Sequence, residues 1–376
     1  MYGEKMTVIE YIDLLSDGGA QRLIVDYVKY LNSDKFEVLV VATRRREETA
    51  NTQRLCEMGI EIAYIYPEWN RITRWIDNVL GSVVRPLRLR HILRKTRANV
   101  LHIHSQELCI VERIKEYISK NNIKVFYTCH SIPMYYFEGR YSNEKPAALN
   151  LIKYCDMKII ALHNELNDIL RKYFNTSNVV TIRNGVDYDW INCVEESKKD
   201  IKESLRIPEK MVVLGTVGRL VIEKQTLFLV DIFNSFRKYC ENSKLLIIGT
   251  GPLENEIKKK IVELKLENDC ILLSHRTDVN RLLKAMDVFV FPSYNEGFPL
   301  TVIEAQVSNI KCAISDDLAK DIKITDNLKF LPLSESAEYW AKEIHYNLMN
   351  VPLVSDCSDE LDIKNIVNQL EKLYIS

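Results

Sequence analysis

Along this chain, short β-branched or apolar runs alternate with longer stretches whose apolar residues recur at helical spacing, and that alternation limits the fold more than any single motif. The first run, Thr7-Val8-Ile9-Glu10-Tyr11-Ile12, is followed by residues 20–31, where Leu23, Val25, Tyr27, Val28 and Leu31 mostly fit one helix face. Further strands are predicted over residues 37–42, 61–66, 100–104, 124–128, 157–161 and 179–182. Strand-then-helix units connect by right-handed crossovers, so these strands should lie parallel in a sheet covered on both faces. The pattern stops near Asn184-Gly185-Val186-Asp187, and a polar stretch follows through Glu195-Glu196-Ser197-Lys198-Lys199-Asp200. A second alternation then begins, with strands over 211–217, 244–248, 271–273, 287–291 and 311–314 and helices opening at about Thr226, Leu253 and Pro299. The expectation is an α/β chain of two doubly wound domains, residues 1–190 and 191–355. Residues 356–376 carry Leu361, Ile363, Ile366, Val367, Leu370 and Leu373 near helical spacing and should end the chain as a helix packed back on the first domain.

A length of 376 residues suits two domains that each bury a core. The 51 Lys and Arg nearly balance the 52 Asp and Glu, so no global field favours nucleic acid and any basic site must be local. Nine Cys stand singly, without a C-x-x-C pair, and read as buried thiols of a reducing cytoplasm. The start, Met1-Tyr2-Gly3-Glu4-Lys5, leads into a run containing Glu10 and Asp13, which does not read as a signal peptide. No run reaches the roughly 18 apolar residues of a membrane span. The expected place is the cytoplasm, in solution or peripherally on the inner face of the cell membrane.

In open α/β sheets, ligands sit beyond the carboxyl ends of strands, where helix starts offer N–H groups to anions. Four loops in such places are informative. Ser16-Asp17-Gly18-Gly19-Ala20 lets the backbone approach a phosphate or sugar, or is merely a tight turn. Gly218-Arg219-Leu220-Val221-Ile222-Glu223-Lys224 sets two cations five residues apart at a strand end; Arg can fork across two phosphate oxygens while Lys acts as a point charge. The alternative is a solvated basic loop. Gly249-Thr250-Gly251-Pro252-Leu253-Glu254 reads equally as a ligand contact or a plain strand-to-helix turn. The last, Glu296-Gly297-Phe298-Pro299-Leu300-Thr301-Val302-Ile303-Glu304, follows an apolar strand; Gly297 is expected to turn the backbone and Pro299 to sit in the first turn of a helix. Its two carboxylates cannot share a helix face, so they should hold different hydroxyl pairs of one ligand, unless they belong to a surface turn and a solvated helix face.

Together, Gly18-Gly19-Ala20 and residues 180–187, 218–224, 248–254 and 291–305 resemble glycosyltransferase family 4 in order and spacing over nearly the whole chain. The pattern Glu, seven residues, Glu is the most specific part. Residues 304–306 and 331–333 further resemble the subgroup that builds capsules and exopolysaccharides. The resemblance implies a GT-B architecture, two Rossmann-like domains facing across a cleft, with acceptor held by the first and nucleotide sugar by the second. It implies a retaining transferase moving a hexose or N-acetylhexosamine from a nucleoside diphosphate sugar, UDP by default, to a saccharide or lipid-linked saccharide. Arg219 and Lys224 would bind the diphosphate, Glu304 the ribose hydroxyls and Glu296 the donor sugar, with Gly297, Phe298, Pro299 and Leu300 lining it; Gly19 and His130 would approach the donor from the first domain. No metal or other cofactor is implied, since cationic side chains replace a divalent ion; His102 and His104, two residues apart on one strand face, lack the accompanying ligands of a metal site. Gln225 stands where many relatives carry Gly, and Ser308-Asn309-Ile310-Lys311 where a Gly and a Pro are common. Rival readings are a GT-B epimerase or phosphorylase, and an inactive sugar-nucleotide-binding partner of another transferase.

Between Arg71 and Arg97, eight cations are interleaved with Trp75, Ile76, Val79, Leu80, Val83, Val84, Leu87, Leu89, Ile92 and Leu93, and Asp77 is the sole acid. Such a stretch can lie on an anionic membrane, or be a helix packed in its own domain with solvated arginines.

Overall fold

A computed structural model of the chain describes residues 5–45, 48–354 and 356–376, so the first four residues, where the signal-peptide reading began, lie outside the described residues. The chain forms two compact units, Met1–Asn184 with Ile363–Ser376, and Gly185–Asp362.

The first unit is built on strands β1 (Met6–Leu14), β2 (Phe36–Arg44), β3 (Ile62–Tyr66), β4 (Val100–Ile103), β5 (Lys124–Cys129), β6 (Lys158–Ala161) and β7 (Val179–Thr181). They pair in parallel in the order β3-β2-β1-β4-β5-β6-β7. The second unit holds β8 (Val212–Val217), β9 (Ser243–Ile248), β10 (Cys270–Leu273), β11 (Val288–Phe291), β12 (Lys311–Ser315) and β13 (Leu328–Leu331), all parallel in the order β10-β9-β8-β11-β12-β13. Chain order reverses between β1 and β4 in one sheet and between β8 and β11 in the other, and a ligand crevice opens at such switch points. The strand that patterning missed is β13, an edge strand whose Lys329 and Phe330 are only half-buried, so it lacks a continuous apolar run.

The unit boundaries differ from the expected 190/191 and 355/356 for a visible reason. Val186 N–H donates to the Leu361 carbonyl at 3.0 Å and Val186 bridges Asp362, while Asp187 caps the next short helix by accepting from Trp190 N–H. Residues 185–190 are thereby fastened to the second unit. The closing helix, Ile363–Ile375, belongs to the first, burying Ile363, Ile366, Val367, Leu370 and Tyr374. Lys124 Nζ donates to the carbonyls of Tyr374 and Ile375 at 2.9 and 2.8 Å, placing a cation at the negative end of that helix.

Thiol burial is less than expected: Cys129 and Cys312 are buried, but Cys56 and Cys193 are exposed, and all nine are free. The departures around residues 225 and 309 have a backbone meaning. Gln225 and Asn309 adopt left-handed φ of 52° and 55°, the conformation that glycine takes at least cost. Lys311, in the same stretch, buries its side chain and donates to the carbonyls of Asn347, Leu348 and Val351 at the end of the helix Ala337–Asn350. Because a left-handed non-glycine costs roughly 1–2 kcal/mol, against an entropic loss of about 0.5–1 kcal/mol for glycine, Gln225→Gly should stabilise the second unit by about 0.5–1 kcal/mol. A raised urea midpoint checks this; an unchanged or lowered one contradicts it.

Candidate functional site

Since β8 and β11 are neighbours at the switch point, the loops leaving their carboxyl ends rise side by side. The loop after β8 carries Gly218 and Arg219 and ends in the turn Ile222–Lys224; the loop after β11 carries Ser293, Asn295 and Glu296. Backbone ties them: Tyr294 N–H donates to the Glu223 carbonyl at 3.0 Å, and the buried Ser293 hydroxyl sits 2.9 Å from the same oxygen. Lys224 Nζ lies 2.6 Å from Glu296 Oε1 and 4.6 Å from the centre of the Phe291 ring, and the Ser293 hydroxyl also meets the Glu296 carboxylate. Two residues that the sequence assigned to separate parts of a ligand are therefore paired with each other here. Arg219 is exposed and lines a small pocket with Gly218, Lys224, Thr226 and Phe291.

The glycines after β9 act on this loop from behind. At Gly249, φ is 145° and a Cβ would stand 1.9 Å from the Gly218 carbonyl oxygen; at Gly251 it would stand 2.4 Å from that of Leu220. Leu220 N–H donates to Thr250, and Leu253 N–H to Leu220. Close backbone approach gives these glycines a structural role: they brace the Arg219 loop.

In the loop after β11 the backbone bends at both Asn295 and Gly297, the latter as expected. The left-handed residue of this loop is Asn295, at φ 57°; asparagine tolerates that region through its short amide. One local expectation is corrected. Pro299 is the residue preceding the helix Leu300–Val307, not part of its first turn, and no side chain caps that helix start. Phe298 and Leu300 are buried, as is Glu304 within the helix. Arg219, Lys224 and this helix start offer cations and N–H donors on the same edge of the sheet, a set suited to a diphosphate.

Gly19 and His130 belong to the other unit. Gly18 is the residue before the helix Gly19–Tyr30, whose start has no side-chain cap. His130 follows β5 and is half-buried, with its Nε2 3.3 Å from His104 Nδ1. His104 Nε2 is 2.7 Å from Glu10 Oε2, and Tyr374 of the closing helix donates to Glu10 Oε1 at 3.0 Å. His102 Nδ1 is 2.6 Å from the Tyr374 hydroxyl, and its Nε2 is 2.7 Å from Thr128 Oγ1. Burial opposes ionisation of Glu10, but the charge of His102 and the hydrogen bonds of His102 and His104 outweigh it and hold the carboxyl well below its usual range. Burial, aided by the neighbouring His102, lowers His104 to about 4. Burial, with His104 and His102 close by, also takes His130 well below the ordinary imidazole value.

Glu10, His102 and His104 are the only group among the described residues that presents three metal-ligating atoms together, all within 4.8 Å. The Glu10–His104 contact of 2.7 Å is shorter than the edge of about 3.3 Å that tetrahedral bonds of about 2.0–2.2 Å require. These atoms are already spent on one another as hydrogen bonds.

Beside this cluster, Arg85 binds Asp77 through two contacts of 2.5 and 2.6 Å and Glu107 at 3.0 Å, while Tyr11 donates to Glu107 at 3.0 Å. Burial lifts Glu107 to about 7 against the pull of Arg85. Sequence reasoning missed Ser293, Glu10 and Tyr374. Glu10 had a signal, a carboxylate in the middle of an apolar strand; the parallel register that sets it against His102 is legible only in the structure.

Two family models match the chain: "Glycosyltransferase Family 4" over residues 17–190 and "Glycosyl transferases group 1" over residues 197–351. The UDP-Gal:alpha-D-GlcNAc-diphosphoundecaprenol alpha-1,3-galactosyltransferase of Escherichia coli is 26% identical over 325 residues, 83% of this chain and 79% of that protein. The capsular polysaccharide biosynthesis glycosyltransferase CapH of Staphylococcus aureus is 24% identical over 380 residues, 98% of each chain. Among solved structures, Anabaena HepE in complex with UDP and glucose aligns with a TM-score of 0.78 at 16% identity, covering 99% of this chain and 100% of that one. With both halves matched by their models and the paired parallel sheets in place, the chain belongs to glycosyltransferase family 4 and is a glycosyltransferase of GT-B fold, built from two Rossmann-like doubly wound domains.

Proposed function

We propose that this enzyme is a retaining transferase that moves a hexose or N-acetylhexosamine from a UDP-sugar to a lipid-linked saccharide during assembly of a cell-surface polysaccharide. The observation that carries the reading is the placement of Arg219 and Lys224 at the switch point of the second sheet, beside Glu296 and an uncapped helix start. Support for the donor and acceptor classes comes from relatives. The Escherichia coli protein is named for UDP-Gal and a diphosphoundecaprenol-linked sugar, CapH for capsular polysaccharide, and HepE has been solved with UDP-glucose.

In this reading the diphosphate displaces the Glu296 carboxylate from Lys224, and Arg219 swings from solvent to fork across phosphate oxygens. Both cations then face the charge that develops as the sugar–phosphate bond breaks, taking the place of a divalent ion. Glu296, released from Lys224, accepts from hydroxyls of the transferred sugar, and Glu304 serves the ribose. The acceptor hydroxyl attacks on the face the leaving group departs from, which retains the anomeric configuration. A preorganised donor of this kind contributes about 2.7–4 kcal/mol to the transition state, or roughly 10²–10³ in kcat. Arg219→Ala should show that loss in nucleotide release, measured with UDP-, GDP- and ADP-sugars and a lipid-linked acceptor extract, with the anomer of the product read by NMR; near-normal turnover would remove Arg219 from the mechanism.

A peripheral membrane position fits the acceptor. The helix Arg71–Lys95 buries only Gly81, Pro86, Leu89 and Leu93, leaving Ile72, Trp75, Val79, Leu80, Val83 and Leu87 between 46 and 69% exposed. The helix thus packs on its own unit through Pro86, Leu89 and Leu93, yet six of its apolar side chains line the outside, which the packed-helix alternative with only solvated arginines does not provide. Arg85 is committed to Asp77 and Glu107, and Arg88 to the Ile65 carbonyl, whereas Arg71, Arg90 and Arg94 are exposed beside the apolar stripe. No described helix is long and apolar enough to cross a membrane. We expect co-sedimentation with phosphatidylglycerol-containing vesicles that is lost when Trp75, Val79 and Leu87 are changed to Ser; sedimentation unchanged in that variant would contradict the assignment.

A further inference from the structure

The hydrogen bonds behind His130 run in one direction, and that direction sets its protonation. Glu10 is ionised, so both its oxygens only accept. One accepts from the Tyr374 hydroxyl at 3.0 Å, the other from His104 Nε2 at 2.7 Å. His104 therefore carries its proton on Nε2, and as a neutral ring it presents a bare Nδ1. Opposite that lone pair, at 3.3 Å, is His130 Nε2, which must be the donor. His130 consequently bears its single ring proton on Nε2 and keeps the Nδ1 lone pair.

We infer that Glu10, His104 and Tyr374 form a positioning relay that locks His130 as a neutral imidazole with its proton on Nε2 and Nδ1 as its one remaining ring acceptor. The inference rests on the proposed transfer together with the expectation, carried by the family resemblance, that His130 serves it; the bare Nδ1 is then the ring atom able to accept from a sugar hydroxyl. A neutral ring also avoids setting a cation against the oxocarbenium character of the sugar, which an imidazolium would oppose. The groups around the relay come from four elements: Glu10 on β1, His102 on β4 with His104 following it, Thr128 on β5, and Tyr374 on the closing helix. Tyr27, on the helix Gly19–Tyr30, stacks on the His102 ring at 6.3 Å and meets the His104 ring tilted at the same distance. The relay atoms of Glu10, His104 and Tyr374 lie in side chains that are 0–4% exposed, so water does not compete for them. The closing helix thus does more than cover the first sheet, since its last turn supplies the hydroxyl that fixes Glu10.

Long-range ¹⁵N–¹H spectra of the full chain labelled on histidine test this directly, because they distinguish Nδ1–H, Nε2–H and imidazolium rings; His104→Gln and His130→Ala assign the two signals. Both rings are expected as Nε2–H tautomers at pH 7. An Nδ1–H tautomer or an imidazolium at His130 in the wild-type protein overturns the relay, whatever the variants do. Glu10→Gln, whose amide can donate to His104 Nε2, should redistribute the His104 and His130 tautomers and lower kcat by roughly 10–100-fold, the usual cost of losing an outer partner of a functional imidazole. Donor KM and UDP affinity should stay within about twofold, and Tyr374→Phe should fall between Glu10→Gln and wild type. A Glu10→Gln protein with unchanged tautomers and kcat refutes the relay. Full transfer activity in His130→Ala, by contrast, refutes a role of His130 in transfer while the wild-type spectrum still decides the relay.

Discussion

A parallel sheet sends the loop after every strand to the same edge, and this one constraint organises both halves of the molecule. Where the strand order reverses, two such loops rise next to each other without a helix between them. In the second unit those loops leave β8 and β11, and the ion pair of Lys224 with Glu296 joins them across the gap. The pair is about one-sixth exposed on each side, so water screens it only in part. In the proposed transfer it holds the lysine where the diphosphate would arrive, with a carboxylate that an incoming phosphate can replace.

The rest of the site is supporting work at the backbone level. Gly249 and Gly251 bring one loop against another at distances no Cβ would permit, and the Ser293 hydroxyl lies between the Glu223 carbonyl and the Glu296 carboxylate. Neither the glycines nor the Ser293 hydroxyl carries charge, yet they brace the loops on which Arg219 and Lys224 stand. In the first unit the same logic is executed with buried side chains. There β1 and β4 flank the switch point, and their polar members, Glu10 with His102 and the following His104, are stacked in register inside an otherwise apolar sheet.

The fold was legible because its signal is collective: twelve strands announce themselves as apolar runs, and only β13, a four-residue edge strand interrupted by Lys329, does not. Arg219, Lys224 and Glu296 were legible as types at strand ends. What they do to each other was not, because the Lys224–Glu296 contact spans 72 residues and depends on which strands are neighbours. The glycine motif after β9 was legible as a turn, but its bracing of Gly218 and Leu220 depends on which loops are neighbours and shows only as a distance. Gln225 and Asn309 show the converse case, where residues that depart from the family pattern still accept the left-handed backbone that the pattern's glycines suit.

The central claim is that Arg219 and Lys224 take the donor diphosphate and that Lys224 leaves Glu296 to do so. A crystal structure of the protein with UDP tests it most directly. The account predicts diphosphate oxygens within about 3 Å of Arg219 and Lys224, with the Lys224–Glu296 contact of 2.6 Å opened. A diphosphate bound elsewhere, or bound with that ion pair intact, would contradict it.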